Sequence, residues 1–167
     1  MCKFTQKFYV HKESPMENFT QLNLPPLSDA RLRRDGGLVR IYDPCRQLYV
    51  KLTPEEWVRQ HFVGFLCNEL GYPASIIGNE VSLHLNNLSR RADTVVYDSH
   101  GAPFIIVEYK APHVEITQQV FDQIVRYNMV LRAQYLAVSN GLKHYFCAID
   151  YANRSYSFVP MLPAYEK

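Results

Sequence analysis

The stretch RRADTVVYDSHGAPFIIVEYK, residues 90–110, decides the fold. Its two halves are rich in β-branched, aromatic and apolar residues around a Ser-His-Gly-Ala turn, which predicts two antiparallel strands. Asp93, Glu108 and Lys110 interrupt this apolar pattern. Charged side chains in a strand that is otherwise buried cost free energy, so they need a structural or a functional reason.

The hairpin geometry predicts where these charges meet. If residues 99–102 form a four-residue loop, Asp98 faces Pro103 and, two by two, Asp93 faces Glu108. Directly opposed residues place their Cβ atoms about 4.5–5.5 Å apart on one face, and Lys110 shares that face because it follows Glu108 by two. The prediction depends on the register, since a slip of one residue would send Asp93 to the other face.

Length and composition predict an ordinary globular protein. The chain has 167 residues, 47% hydrophobic and 20% charged, which suggests one domain with a sizeable core. Residues 1–38 are rich in turn formers and are expected to be an irregular N-terminal segment, with Met16 a second candidate start. Residues 39–167 are expected to be the single domain. The net charge of +2 argues neither for nor against a polyanionic partner.

The rest of the chain predicts two helices among several strands. Thr53 is a suitable N-cap and Gly71 a suitable stop for a helix between them. The apolar spacing of residues 116–134 predicts a second helix. Asn140-Gly141 indicates a hairpin turn. Strands are expected within residues 38–52, 79–85, 90–110, 135–150 and 155–162. This order indicates an α/β or α+β fold with a mixed sheet.

Two interpretations account for the acids in the sheet. Lys110 could neutralise them, giving a structural ion-pair cluster. Alternatively, Asp93 and Glu108 could hold Mg²⁺, which binds through one or two protein carboxylates and otherwise keeps water or phosphate oxygens. Such a metal activates water for attack on a phosphodiester. A neighbouring lysine can orient that water or neutralise the transition state.

Other kinds of site lack their signatures. The four cysteines form no Cys-x-x-Cys pair and the six histidines have no zinc-ligand spacing. A GKS or GKT phosphate loop is absent from the sequence. Neither a secretory signal nor an apolar run of membrane-spanning length is found, so the expected location is the cytoplasm.

Asp93 followed after fifteen residues by Glu108-x-Lys110, on paired strands after a helix, resembles the PD-(D/E)xK nuclease superfamily. Ala92 stands where that family often has proline. The resemblance implies a restriction-endonuclease-like mixed sheet flanked by helices. It also implies that Asp93 and Glu108 are ligands of Mg²⁺, with Mn²⁺ able to substitute, and that Lys110 is the catalytic lysine.

A similar order of stretches is found in the N-terminal nuclease domain of type I restriction enzyme R subunits: TPEEWVRQHFVGFLCNELGYP, NEVSL, RRADTVVYD, IIVEYKAP, FDQIVRYN and YLAVSNG. The similarity covers roughly residues 40–150. Such domains cleave DNA with Mg²⁺ when attached to a helicase-like motor. The sequence carries no motor, so a stand-alone nuclease, a truncated relic or a subunit with motor or specificity partners on other chains is expected. A non-catalytic nucleic-acid-binding or assembly module is the alternative.

The family also carries a glutamate on the helix before the core strands. Glu55 and Glu56 compete for this role. At 100° per residue, Glu55 falls about 20° from the centre of the helix's apolar face and Glu56 about 120° away. Glu56, three residues after Thr53, fits a capping box. Glu55 is therefore expected to be the functional acid.

Further candidates support the site or contact DNA. Gln123 and Tyr127 are four apart on the second predicted helix, so they share one side of it. A subset of the superfamily has Gln-xxx-Tyr at this place. Arg59, Arg90 and Arg91 are candidates for contacts with DNA phosphates. Oligomeric state and sequence specificity are left open.

Overall fold

The structure is a computed structural model that describes residues 19–27, 29–85 and 88–166, without the side chains of residues 83–85, 88–90, 123, 126, 127, 129 and 130. The described part contains nine strands, two α-helices and a short 3-10 helix at Ala74–Ile76. The helices are α1 (Pro54–Asn68) and α2 (Gln118–Leu131). The strands are β1 (Leu32–Asp35), β2 (Leu38–Asp43), β3 (Leu48–Lys51), β4 (Ile77–Leu85), β5 (Leu88–Tyr97), β6 (Pro103–Tyr109), β7 (Tyr135–Ser139), β8 (His144–Asp150) and β9 (Ser155–Val159).

The strands form two sheets. Strands β1, β2 and β3 make a small antiparallel sheet, and the larger sheet has the order β4-β5-β6-β7-β8-β9. Strands β6 and β7 run parallel and are joined through α2, whereas the other neighbours in the larger sheet run antiparallel. The mixed sheet predicted from the sequence is confirmed.

Helices cover both faces of the larger sheet. On one face, α1 and the small sheet pack against β5, β6 and β7, with Phe62 and Ile41 at most 1% exposed. On the other face, Phe121 and Ile124 of α2 pack against β5 to β8. Neither helix of the described part is long and apolar enough to cross a membrane.

The expectation of irregular chain up to residue 38 is wrong at β1, which pairs along its length with β2. Residues 1–18 lie outside the described residues. The hairpin predicted in residues 38–52 is confirmed as β2 and β3. Its turn is held by Asp43, whose Oδ1 accepts hydrogen bonds from the amides of Cys45 and Arg46 at 2.8 and 3.1 Å.

The predicted β5–β6 register is right at one end and wrong at the other. Tyr97, not Asp98, lies opposite Pro103. A bulge that leaves Phe104 unpaired then shifts the register by one, so Thr94 lies opposite Val107. Continued by one step, this register places Asp93 opposite Glu108, as the sequence predicted.

The regular alternation of β5 is broken at Asp93 and Thr94. Ala92 and Val95 lie in one apolar cluster, although residues three apart on a regular strand point to opposite faces. On the neighbouring strand, Glu80 has a φ of +56°. A non-glycine residue in this region is strained, and such strain is often found at functional sites. The larger sheet is therefore distorted beside Asp93.

Candidate functional site

Asp93 is held in place by two donors. Its Oδ2 accepts a hydrogen bond from the backbone amide of Tyr109 at 2.9 Å, and its Oδ1 lies 3.5 Å from Nη2 of Arg59. The side chain is 17% exposed. Burial raises the pKa of Asp93, an effect that the Tyr109 amide and Arg59 partly offset. Asp93 is thus a carboxylate that is fixed but incompletely neutralised.

Glu108 and Lys110 form the second part of the site at the end of β6. Nζ of Lys110 lies 3.2 Å from Oε1 of Glu108, and both side chains are partly exposed. Burial and then the charge of Asp93 raise the pKa of Glu108 to about 7. The Lys110 amide donates to the Ser139 carbonyl at 2.9 Å, which ties this segment to β7.

Glu55 lies at the start of α1, close enough to Asp93 and Lys110 to interact with their charges. Burial and the charge of Asp93 raise the pKa of Glu55, while Lys110 and Arg59 lower it. Glu55 therefore belongs to the same electrostatic cluster as Asp93, Glu108 and Lys110. Its predicted role in the site is not tested by this placement.

Glu56 does not lie where the helical wheel predicted. It is 7% exposed, more buried than Glu55. Its amide donates to Thr53 Oγ1 at 3.0 Å, as a helix cap should. Its carboxylate accepts from Arg46, Arg59 and Gln60 at 2.8–2.9 Å. The expectation that Glu56 points away from the core is wrong, because these partners bury it.

Arg59 occupies the centre of an ion-pair network. It is 3% exposed, and its guanidinium contacts Glu56 at 2.9 Å, Glu80 at 2.6 Å and Asp93 at 3.5 Å. These charges raise the pKa of Arg59 although burial opposes them. The structure does not fit a phosphate contact for Arg59, because the side chain is buried and committed to carboxylates. It instead links α1 to Asp93.

Glu80 was missed by the sequence analysis. It bridges Arg59 and, at 3.0 Å, the 64% exposed Arg91. Leu85 lies opposite Leu88, and counting back along this pairing brings Glu80 opposite Asp93. The sequence signal that could have predicted this alignment is the Asn-Asn pair at residues 86–87, since such pairs favour short hairpin connections.

A chain of buried hydrogen bonds lies behind Asp93. The Tyr109 hydroxyl donates to Thr94 Oγ1 at 3.1 Å, and Thr94 donates to Asn79 Oδ1 at 2.6 Å. Asn79 Nδ2 donates to Asp43 Oδ2 at 2.9 Å. Hydrogen bonds from Asn79 and Arg46 hold the pKa of Asp43 below its usual value although burial opposes them. The network fixes Tyr109, whose amide binds Asp93.

For three of the remaining candidates, the structure describes the backbone but not the side chain. Gln123 and Tyr127 lie on α2 and Arg90 on β5, but their side chains are outside the described residues. Their roles stay predictions. Arg91 is exposed on β5 beside Asp93 and is paired with Glu80. It remains a candidate for a phosphate contact.

The donor set at Asp93 and Glu108 is compatible with Mg²⁺. Among the described residues, no group of three or more His, Cys, Asp or Glu side chains is arranged to hold a metal ion. Mg²⁺ needs only one or two protein carboxylates, because waters and phosphate oxygens complete its shell. Arg46, Arg59 and Arg91 pair with Glu56 and Glu80. Asp93 has only a 3.5 Å contact with Arg59, and Glu108 is paired with Lys110 at 3.2 Å, so a dication would add to a partial neutralisation of these two acids.

Comparison with known proteins identifies the family. The sequence pattern described as type I restriction enzyme R protein N terminus (HSDR_N) matches residues 54–163, more than half of the chain. No curated protein matches the chain. A solved fragment assigned as an HsdR subunit of a type I restriction enzyme from Vibrio vulnificus YJ016 is similar with a TM-score of 0.47 and 17% identity. The similarity covers 68% of this chain but 24% of that one, so the chain corresponds to about a quarter of that fragment.

The architecture agrees with the family match. A mixed six-stranded sheet with a helix packed on each face is the restriction-endonuclease-like fold that the sequence resemblance implied. The match begins at the first residue of α1 and extends beyond β9, so it includes the strands and the helix that carry Asp93, Glu108, Lys110 and Glu55. The chain therefore belongs to the family of type I restriction enzyme R protein N termini.

Proposed function

We propose that this domain is a nuclease that hydrolyses phosphodiester bonds of DNA with Mg²⁺, and that Mn²⁺ can substitute. The observation that carries the proposal is the cluster of two half-buried carboxylates, Asp93 and Glu108, with the Lys110 ammonium 3.2 Å from Glu108. Burial keeps the pKa values of both acids raised. Clustered acids with raised pKa values are frequent at functional sites, and ion binding offers a reason for this arrangement.

Asp93 and Glu108 would hold the metal ion. Bound there, Mg²⁺ would supply a water of lowered pKa and positive charge for the phosphate under attack. The Tyr109 amide orients Asp93 through a 2.9 Å hydrogen bond. Lys110 would orient the attacking water and neutralise charge that develops on the phosphate. Glu55 would act as an auxiliary acid at the edge of the site.

The domain would act in the cytoplasm as part of a larger restriction system. The chain belongs to the family of type I restriction enzyme R protein N termini. We therefore propose that a motor and specificity subunits of such a system deliver the DNA. Arg91, exposed beside the acids, would contact a phosphate of the bound strand.

The direct test is cleavage of plasmid and linear DNA with Mg²⁺ or Mn²⁺, comparing the wild type with Asp93→Asn and Lys110→Met. Both variants should lose cleavage by at least about 100-fold, since each removes a group that acts in the transition state. Glu115→Gln, which changes an exposed carboxylate on the loop before α2, is the matched control and should cleave normally.

Titration with Mn²⁺ resolves the remaining outcomes. Binding that is lost in Asp93→Asn, together with absence of cleavage by the wild type, would mean that the site waits for its motor. Absence of both binding and cleavage would leave Asp93, Glu108 and Lys110 as a structural ion-pair cluster, and the proposal would be wrong.

A further inference from the structure

An aromatic cleft lies on the α2 face of the larger sheet. It has a volume of about 220 Å³. We call it the aromatic cleft. Six residues line it, from the loop before α2, the start of α2, β8 and β9: Ile116, Thr117, Gln118, Phe121, Tyr145 and Phe158. The lining therefore combines three aromatic rings with one aliphatic and two polar side chains.

The exposure of Phe158 needs an explanation. This side chain is 57% exposed, although it stands beside the buried Phe121, whose ring centroid is 5.2 Å away. Tyr145 and Tyr156 also lie within 6.4 Å of Phe158, centroid to centroid. A cluster of rings that leaves one face open to water can bind a flat apolar partner.

Strand pairing connects the cleft with the candidate active site. Glu108 lies opposite Val138, which lies opposite Tyr145. Directly paired residues share a face, so Tyr145 lies on the side of the sheet that carries Glu108. Two strand spacings separate them, about 10 Å. Phe158 lies one strand further, opposite Cys147. At about 3.4 Å per stacked nucleotide, the cleft is a few nucleotides from the acids.

We propose that the aromatic cleft binds an unpaired nucleobase of the DNA strand that is presented to Asp93 and Glu108. This proposal rests on the proposed nuclease function. A base has two flat faces that stack on aromatic side chains regardless of sequence. In a duplex those faces are covered by neighbouring bases, so the cleft selects a strand with an unpaired or flipped base. Of the polar lining residues, Thr117 caps α2 by accepting from the Val120 amide, and Gln118 donates to Asp122 at 2.8 Å, so the aromatic rings are the surface available to a base.

A nucleobase fits better than a protein side chain as the occupant. The cleft shares its sheet face with Glu108, so a strand that reaches the acids passes near it. The cleft presents the exposed ring of Phe158, tilted against the buried Phe121, rather than a long apolar groove. A protein partner would be expected to cover the exposed Met161 as well, which is 52% exposed and does not line the cleft.

The test is fluorescence anisotropy with labelled oligo-dT and with a blunt duplex, in EDTA so that binding is measured without cleavage. Phe158→Ala should weaken binding of oligo-dT about tenfold and leave duplex binding within twofold of the wild type. Met161→Ala, an equally exposed apolar substitution, should change neither. Phe158→Trp, which keeps an aromatic ring at this position, should bind oligo-dT at least as tightly as the wild type. A 2-aminopurine in the oligonucleotide should be quenched by the wild type and not by Phe158→Ala.

Equal binding of oligo-dT by the wild type and Phe158→Ala would overturn the proposal, as would a loss that Met161→Ala shares. Absence of oligo-dT binding would overturn it too and would leave Phe158 as a protein-docking residue. These results are separate from those of the nuclease test. If the wild type cleaves DNA and Phe158→Ala binds oligo-dT normally, the nuclease proposal stands and the base-binding proposal fails. If Phe158→Ala weakens oligo-dT binding but the wild type neither cleaves DNA nor binds Mn²⁺, the base-binding observation stands and the nuclease proposal fails.

Discussion

The two ends of the β5–β6 hairpin shift the pKa values of their carboxyl groups in opposite directions. At the turn, the partly exposed Asp98 accepts hydrogen bonds from the amides of Ala102 and His100 at 2.8 and 2.9 Å, and these bonds lower its pKa. At the other end, burial raises the pKa values of Asp93 and Glu108. The turn acid therefore stabilises the fold as an anion, whereas the site acids cost stability.

This difference separates a structural acid from the proposed site acids on the same pair of strands. The turn supplies Asp98 with amides that have no other partner in the loop, as an Asx turn does. The site supplies Asp93 with one amide and the outer part of a guanidinium that is already shared with Glu56 and Glu80. Incomplete neutralisation at the site is what a bound cation would complete.

The largest expected effect is at Arg59, because it neutralises the site end of the hairpin. Arg59→Met should lower the free energy of unfolding by about 3–5 kcal/mol, since Glu56, Glu80 and Asp93 would lose a buried partner. Urea unfolding at pH 8 measures this. Arg91→Met breaks an ion pair with the same Glu80, but the Arg91 side chain is 64% exposed. The free energy of unfolding should therefore fall by less than about 1 kcal/mol. Equal losses would show that burial does not distinguish the two arginines.

A smaller loss is expected at Thr94, in the network behind Asp93. Thr94→Val keeps the shape but leaves the Tyr109 hydroxyl and the Asn79 carbonyl oxygen without this partner. We expect a loss of about 1–3 kcal/mol in urea unfolding, and weaker cleavage because the Tyr109 amide is less well fixed. Ser99→Ala, in the exposed turn, is the control. A Thr94→Val protein as stable as Ser99→Ala would mean that the network does not support the site.

Whether the sequence could predict a contact in this arrangement depends on how far apart the two residues lie along the chain. The facing of Asp93 and Glu108 was predicted, but by a loop that the protein does not use. The bulge at Phe104 compensated for the different pairing at Pro103. Such a bulge is not encoded in the alternation of apolar residues, so the agreement at Asp93 depended on two local deviations that cancel.

Contacts between distant parts of the chain could not be predicted. The helical wheel placed Glu56 outside because it considered one helix alone. The buried position of Glu56 comes from Arg46 in the β2–β3 turn, which lies 2.9 Å from it. Glu80 was overlooked for a different reason, since its alternating strand was predicted without its register against β5. The caps at Thr53 and the Asn140-Gly141 turn, by contrast, are local and were predicted correctly.

Removing a site acid should raise stability, whereas altering the turn acid should lower it. Glu108→Gln removes a half-buried charge beside Asp93, so we expect the free energy of unfolding at pH 8 in EDTA to rise by about 1 kcal/mol while cleavage is lost. Asp98→Ala should lower the urea midpoint and leave cleavage unchanged. A destabilised Glu108→Gln protein would contradict the contrast, because the site acid would then be structural.

The smallest effect is expected at His144, next to the site edge of β7. Its Nε2 lies 3.0 Å from the Asn23 carbonyl, which can only accept, so Nε2 carries the proton and Nδ1 accepts from the Ser139 hydroxyl at 2.8 Å. Burial lowers the pKa of His144 below the usual 6.5. Below pH 6.5 the unfolded chain therefore binds more protons than the folded chain, and stability falls as the pH falls.

His144→Gln should reduce this acid sensitivity by less than about 1 kcal/mol between pH 7 and pH 5, as measured by urea unfolding at both values. His100→Gln, in the exposed turn at the other end of the sheet, is the control. If His144→Gln and the wild type lose the same stability over this range, the half-buried His144 is not a source of acid sensitivity. The buried His61, whose pKa is also lowered by burial, would then be the histidine that makes the fold sensitive to acid over this range.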